Sequence, residues 1–372
     1  MRIVFVLPGL HRTPRGAEAA FEAIGGELAS TGQDDVTLVG SGRPDPARSY
    51  NFVHVWSMRH ERFERFPRVP PLRTEYAYEE LTFMPALALR HRAVATDVTV
   101  TCGYPFVNWY LSRWPTRRAQ RPKHVFVTQN GDWPAYSDDA EYGLFSCDGL
   151  VCTNPDYFER NQARWRSALI PNGVDTTRYS PGPGDRERFG IPGQRPVVLM
   201  VSALAASKRV AVGLEAVAAL PEAFLVVAGD GPERRTIDKM AAELLPGRFL
   251  RLVLPLVEMP WLYRCADVLL HASLEESFGN VYTEAMACGL PIVAHDYSLT
   301  RWVLSDHAYL VNAASRAELV KGLTAALAEA PGSAKLRAAY AAHRFAWGKI
   351  AADYRSFLLS VVSGRRRDGE AS

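Results

Sequence analysis

Residues 268–294 read VLLHASLEESFGNVYTEAMACGLPIVA, and their punctuation decides the fold class. Val268 to His271 is an apolar run of strand length that gives way to a polar loop carrying Glu275 and Glu276. A helical stretch begins at Gly279 or Asn280, Gly289 stops it, and Ile292 to Ala294 is the next strand after Pro291. Strand, loop, helix and strand in this order form a crossover unit between parallel strands.

The same rhythm extends in both directions. Upstream, Pro196 to Val201, Phe224 to Ala228 and Phe249 to Leu254 read as strands. Lys208 to Leu220, Ile237 to Leu245 and Met259 to Cys265 read as helices between them. A further α/β pattern occupies the first part of the chain. Ile3 to Leu7 is a strand, Gly16 to about Ser30 a helix, and Val36 to Val39 a strand. Phe52 to Val55, Val98 to Val100, His124 to Thr128 and Gly149 to Cys152 are further strands, and about Pro105 to Pro122 reads as helix then basic loop. Turn chemistry at Ile170-Pro171-Asn172-Gly173 and Pro181-Gly182-Pro183-Gly184 separates the two patterns. The expectation is an α/β protein of two Rossmann-like domains, 1–170 and 171–349, with a ligand crevice between them at the carboxyl ends of both sets of strands.

Composition fits two cores and narrows the partners. Of 372 residues, 48% are hydrophobic and 22% charged. Net charge is +3, from 43 basic and 40 acidic residues, which gives no case for nucleic acid. Five cysteines in irregular spacing suggest free thiols in a reducing compartment rather than a disulfide framework or zinc site. No apolar run has the length of a membrane span and the amino terminus lacks signal-peptide features, so the expectation is a soluble cytoplasmic protein. Arg59 to Arg73 interleaves arginines with Phe63 and Phe66. A solvated loop is preferred there over a surface for an anionic membrane or an acidic acceptor. Arg365-Arg366-Arg367 reads as a disordered tail.

The chemistry concentrates around residue 280. Free N–H groups and the positive dipole end of the helix suit a phosphate, and Gly279 allows close approach to the backbone. Glu276 lies just before the helix and Glu284 about one turn in, so both can face one crevice. A carboxylate accepts two hydrogen bonds side by side and suits sugar or ribose hydroxyls. Helix capping explains Glu276 as well and Glu284 poorly, and spacing alone leaves the two readings balanced. Lys208 and Arg209 follow the first strand of the second pattern, where two cations facing a crevice would attract an anionic group. Closely spaced carboxylates of the D-x-D kind, which hold a divalent metal, do not occur. His271 and His295 read as hydrogen-bonded structural residues.

Glu276 and Glu284, with Phe278-Gly279 and Glu284-Ala285-Met286-Ala287-Cys288-Gly289-Leu290-Pro291 around them, resemble the E-x7-E segment of retaining GT-B glycosyltransferases of family 4. Ile170 to Asp175 resembles the family's interdomain I-P-N-G-V-D, and Val227 to Pro232 its glycine turn. Arg15-Gly16-Ala17-Glu18 resembles its G-G-A-E loop, and Phe345-Ala346-Trp347 the F-S-W segment before a last helix, about 350–372, that returns to the first domain. The resemblance implies a metal-independent transfer of sugar from a nucleotide-sugar donor to a carbohydrate, lipid or small-molecule acceptor, with no cofactor. It implies catalytic roles for Lys208, Arg209 and Glu276, and donor contacts at Gly16, Ser277, Phe278, Gly279, Asn280 and Glu284. Arg15, Asn130 and Asp132 are candidates for sugar or acceptor contacts. Relatives carry a glycine at the position of Arg15, an arginine at that of Ala203 and a histidine near Asn130. A nucleotide-sugar epimerase, a phosphorylase and a non-catalytic nucleotide-sugar binder are the alternatives on the same scaffold.

Overall fold

A computed structural model describes residues 1–13, 15–91, 95–113, 121–139, 142–329 and 332–364. The basic stretch after the helix Phe106–Ser112 and the run Arg365-Arg366-Arg367 fall largely or wholly outside the described residues. The chain divides into two compact units, Met1–Asn172 with Trp347–Ser372, and Gly173–Ala346.

The first unit is built on strands β1 (Arg2–Val6), β2 (Asp35–Gly40), β3 (Asn51–His54), β4 (Val98–Thr101), β5 (Lys123–Val127), β6 (Gly149–Cys152) and β7 (Ser167–Leu169). All pair in parallel, in the order β3-β2-β1-β4-β5-β6-β7. Successive side chains alternate between the two faces of a strand. Ile3 and Phe5 therefore share a core with Val36, Leu38, Val98, Val100, Val125 and Val127. Val4 and Val6 join Val39, Phe83, Leu87, Val107 and Leu111 on the opposite face. The first face is covered by the helix Gly16–Ser30, through Phe21, Ile24 and Leu28, and by the helix Trp347–Ser363, through Ile350, Tyr354, Phe357 and Leu358. The last helix thus belongs to the first unit, although it follows the second in the chain.

The second unit carries β8 (Val197–Val201), β9 (Phe224–Ala228), β10 (Phe249–Leu252), β11 (Val268–His271), β12 (Ile292–His295) and β13 (Tyr309–Val311), again all parallel, in the order β10-β9-β8-β11-β12-β13. Val197, Leu199, Val226, Leu269 and Ile292 face one core, and Val198, Met200, Val227, Leu270 and Val293 the other. The sequence predicts a helix from Lys208. The structure has a 3-10 turn at Ala206–Lys208, and the helix begins at Val210 because Arg209 takes a left-handed conformation at φ 54°. Chain entry and exit of this unit lie side by side: the Val174 N–H donates to the Phe345 carbonyl at 2.7 Å.

Elements absent from the sequence reading are β7, β13 and the helices Glu75–His91, Trp133–Tyr136, Pro155–Asn161, Ser298–Leu304, Arg316–Leu327 and Ser333–Phe345. Arg59 to Arg73 is more structured than a solvated loop. It holds a 3-10 turn at His60–Phe63, and the buried Phe63 ring stacks on Tyr78 at 5.3 Å. In each sheet the strand order reverses direction at one place, between β1 and β4 and between β8 and β11. Such a switch point leaves room for a ligand at the carboxyl ends of the strands.

The buried face of the last helix carries much of the first unit's packing. Phe357→Ala is expected to cost that unit about 3–5 kcal/mol. Calorimetry that resolves the units should show its transition falling while that of Gly173–Ala346 stays in place.

Candidate active site

The switch point of the second sheet gathers the residues singled out at 208 and 276. After β8 the chain runs through Ser202 to Leu204 and is braced by the glycine turn after β9. The Leu204 N–H donates to the Asp230 carbonyl at 3.0 Å. A Cβ at Gly229 would lie 1.8 Å from the Ser202 carbonyl oxygen, and one at Gly231 would lie 2.6 Å from that of Leu204. Only glycine allows these two loops to touch, and their contact fixes where the following turn delivers Lys208.

From β11 comes the partner. Glu276 Oε1 accepts from Lys208 Nζ at 2.5 Å and lies 2.8 Å from His271 Nε2. Ser273 Oγ ties the same loop to itself and across to the β8 loop, donating to the Glu275 carbonyl at 2.7 Å and the Ser207 carbonyl at 3.3 Å. Burial pushes the Glu276 carboxyl up. The hydrogen bonds and charges of His271 and Lys208 outweigh it and hold the group at about 2. Glu276 is therefore an anion at any physiological pH. Arg209 turns toward the loop after β13, where its Nη2 donates to the Ala313 carbonyl at 3.3 Å. Its Nε is buried with no partner among the described residues.

The helix Asn280–Ala287 starts beside Glu276. Gly279 stands at its amino end with φ 79°, a conformation that costs most residues about 1–2 kcal/mol, and a Cβ there would lie 2.5 Å from the Tyr282 ring. The Phe278 side chain is buried against Phe345 and Trp302, so only its backbone remains for a ligand. Ser277 and Asn280 are half-buried at the helix start. Glu284 has a different setting. Tyr263, carried by the helix Met259–Cys265, donates its hydroxyl to Glu284 Oε2 at 2.7 Å, and Tyr179 stands beside Tyr263 with ring centroids 5.8 Å apart. Burial raises the Glu284 carboxyl to about 7, against the hydrogen bonds of Tyr263 and Tyr179 and the more distant charge of Arg178.

In the first unit Gly16 is exposed at the start of its helix. The Arg15 guanidinium is engaged: its Nε donates to Glu18 Oε1 at 3.1 Å, Glu79 lies 3.9 Å away, and the group covers the Tyr76 ring at 4.7 Å. Arg12 pairs with Glu79 as well. Burial raises Glu79 to about 7 and Glu80 to about 8, the latter accepting from the Val107 N–H at 3.1 Å. Sequence reasoning missed Arg12, Glu79 and Glu80. The available signal was a Glu-Glu pair inside an otherwise apolar helix. Asn130 is exposed beyond β5. Asp132 is buried, accepting from Arg160 Nη2 at 3.0 Å and Asn161 Nδ2 at 2.8 Å. Gln129 and Asn172 form a reciprocal amide pair at 2.6 and 2.9 Å. All five cysteines are free thiols. No helix among the described residues is long and apolar enough to cross a membrane.

Residues 183–343 match the model of glycosyl transferases group 1. The chain is 36% identical over 142 residues to a GDP-mannose-dependent alpha-(1-6)-phosphatidylinositol monomannoside mannosyltransferase of Mycolicibacterium smegmatis, covering 34% of this chain and 37% of that protein. It is 35% identical over 206 residues to a D-inositol 3-phosphate glycosyltransferase of Xylanimonas cellulosilytica, covering 50% and 49%. The chain thus spans half or less of the length of these curated relatives. Among solved structures, sucrose-phosphate synthase of Thermosynechococcus elongatus superposes with a TM-score of 0.78 at 18% identity, over 98% of this chain and 100% of that one. Anabaena HepE in complex with UDP and glucose gives 0.74 at 19%, over 97% and 100%. The fold is GT-B.

Glu284 supplies a pH test. Folding raises its carboxyl from an ordinary 4.5 to about 7, so the folded state keeps a proton that the unfolded chain has already released between those values. The stability linked to that proton is full at low pH and is lost as pH rises through 7. In Glu284→Gln the loss disappears. The difference in melting midpoint between variant and wild type should grow in the variant's favour from about pH 5 to 8.

Proposed function

We propose that the chain is a glycosyltransferase that moves a sugar from a nucleoside-diphosphate sugar to a hydroxyl acceptor with retention at the anomeric carbon, a reading supported by the match of residues 183–343 to the model of glycosyl transferases group 1. The observation that carries the reading is the contact of Lys208 with Glu276 beside the amino end of the helix Asn280–Ala287. A cation, free helix N–H groups and an ionised carboxylate within one small region match the three parts of such a donor. Lys208, with Arg209 nearby, neutralises the diphosphate, the helix start receives its oxygens, and Glu276 accepts from sugar hydroxyls. Glu284 grips the ribose. These groups supply the charge neutralisation that a metal ion provides in other transferases, so the reaction proposed needs none.

In the transfer the bond between the anomeric carbon and the diphosphate oxygen breaks and its electron pair stays with the diphosphate. The acceptor oxygen forms the new bond from the same face, and its proton passes to the departing diphosphate. The acceptor is a carbohydrate, lipid or small polyol, a class that includes the inositol compounds named for the two relatives. Five free thiols support a reducing, cytoplasmic setting.

The test is a screen of UDP-, GDP-, ADP- and dTDP-sugars for donor hydrolysis and acceptor-dependent transfer, with proton NMR of the new linkage. One donor should be consumed and its anomeric configuration kept. An inverted product removes the retaining assignment, and conversion of the donor without acceptor or water favours an epimerase. Lys208→Ala and Glu276→Ala should each lower kcat/KM by about 100-fold or more with melting temperatures within a few degrees of wild type. Full activity in both variants sinks the site.

A further inference from the structure

Lys208 and His271 meet the same oxygen of Glu276. That redundancy has a physical use once the proposed donor arrives. A diphosphate competes for Lys208, whose ammonium has only three N–H groups and a single charge. The Glu276 side chain is 11% exposed, so solvent cannot replace the lysine if it leaves. A carboxylate stripped of its cation in such a place reverts toward the neutral acid, which no longer accepts in the geometry a sugar hydroxyl needs.

Resting on the transferase reading, we propose that His271 is a positioning residue that keeps Glu276 ionised and aimed at the sugar while Lys208 is drawn to the diphosphate. The imidazole is built for a fixed post. It lies at the carboxyl end of β11, is 3% exposed, and is held edge-on to the Tyr282 ring at 5.1 Å and 83°. An ionised carboxylate only accepts, so His271 Nε2 carries a proton and donates. Lys208, by contrast, stands on a short turn with its side chain 28% exposed, on a flexible stem that reaches either anion. The groups facing Glu276 are Lys208 from the β8 loop, His271 from β11 and the Tyr282 phenol from the helix, with Tyr297 behind Tyr282. Glu275, next in the chain, is exposed. Of the two groups that meet Oε1, His271 is the one that a diphosphate does not draw away.

Two polar replacements separate this role from a structural one. In His271→Gln the amide nitrogen reaches the place of Nε2. In His271→Asn it stops at the place of Nδ1, short of Glu276. With the donor identified in the screen, kcat/KM of H271Q is expected within about threefold of wild type and that of H271N about tenfold or more below it. Affinity for the nucleoside diphosphate alone, measured by calorimetric titration, should change little in either variant and reports that each is folded. Equal activity in H271N and H271Q overturns the role of His271. A wild-type protein that turns over no donor overturns the transferase reading instead.

Discussion

The ion pair between Lys208 and Glu276 joins the two loops that leave the switch point of the second sheet, and the local architecture is arranged around it. Its justification is not stability. Ions this far removed from water gain in attraction roughly what they lose in hydration, and a packed apolar contact of the same volume would serve the fold as well or better. The chain nevertheless keeps a lysine, a carboxylate and an imidazole there. It spends two glycines, Gly229 and Gly231, on a turn whose only evident purpose is to hold the lysine-bearing loop in place. Charge held at the carboxyl ends of parallel strands, beside a helix start, is a feature kept for a ligand.

The same logic explains what was legible in the sequence. Gly149–Cys152, Phe224–Ala228 and Val268–His271 were readable to the residue because strands buried on both faces are continuous apolar runs with abrupt polar ends. Glu276, Gly279 and Lys208 were readable because a helix start, a glycine and a cation have local signatures. Two of the four edge strands failed: β7 and β13 have three residues each, all partly exposed, with too little pattern to register. The helix Glu75–His91 failed because Pro85 and the buried pair Glu79 and Glu80 break its apolar period. Partnership across elements was beyond sequence altogether. Nothing near Asp132 announces Arg160, and nothing near His271 tells a structural imidazole from one that holds a carboxylate.

The switch point of the first sheet shows what a polar cluster looks like when it is satisfied from within. Arg12 and Arg15 face Glu18 and Glu79, two cations against two carboxyls, and the neighbouring Glu80 draws its hydrogen bonds from the backbone at Val107 and just before it. Any anion approaching Arg15 must displace Glu18 or Glu79, each 2% exposed at the side chain. The exchange is costly unless the displaced carboxyl takes up a proton. Glu79, already raised to about 7, does so with little penalty near neutral pH.

The two glutamates with seven residues between them, Glu276 and Glu284, show why spacing alone could not assign them. Glu276 is driven down to about 2 by a lysine and a histidine, and Glu284 is driven up to about 7 by burial among tyrosines. When neighbouring carboxyls are pushed apart in this way, their work divides. Glu276 is always an acceptor, which suits the sugar-binding role proposed for it. Glu284 exchanges a proton in the range where cells operate. A pair of ribose hydroxyls, both donating, favours its ionised form, so ligand and proton compete for the same carboxyl. The tyrosine hydroxyl already given to Oε2 lowers the cost of that ionisation. Read this way, the tyrosines are the reason a buried carboxyl can be used for binding at all, and the sequence spacing only places it within reach.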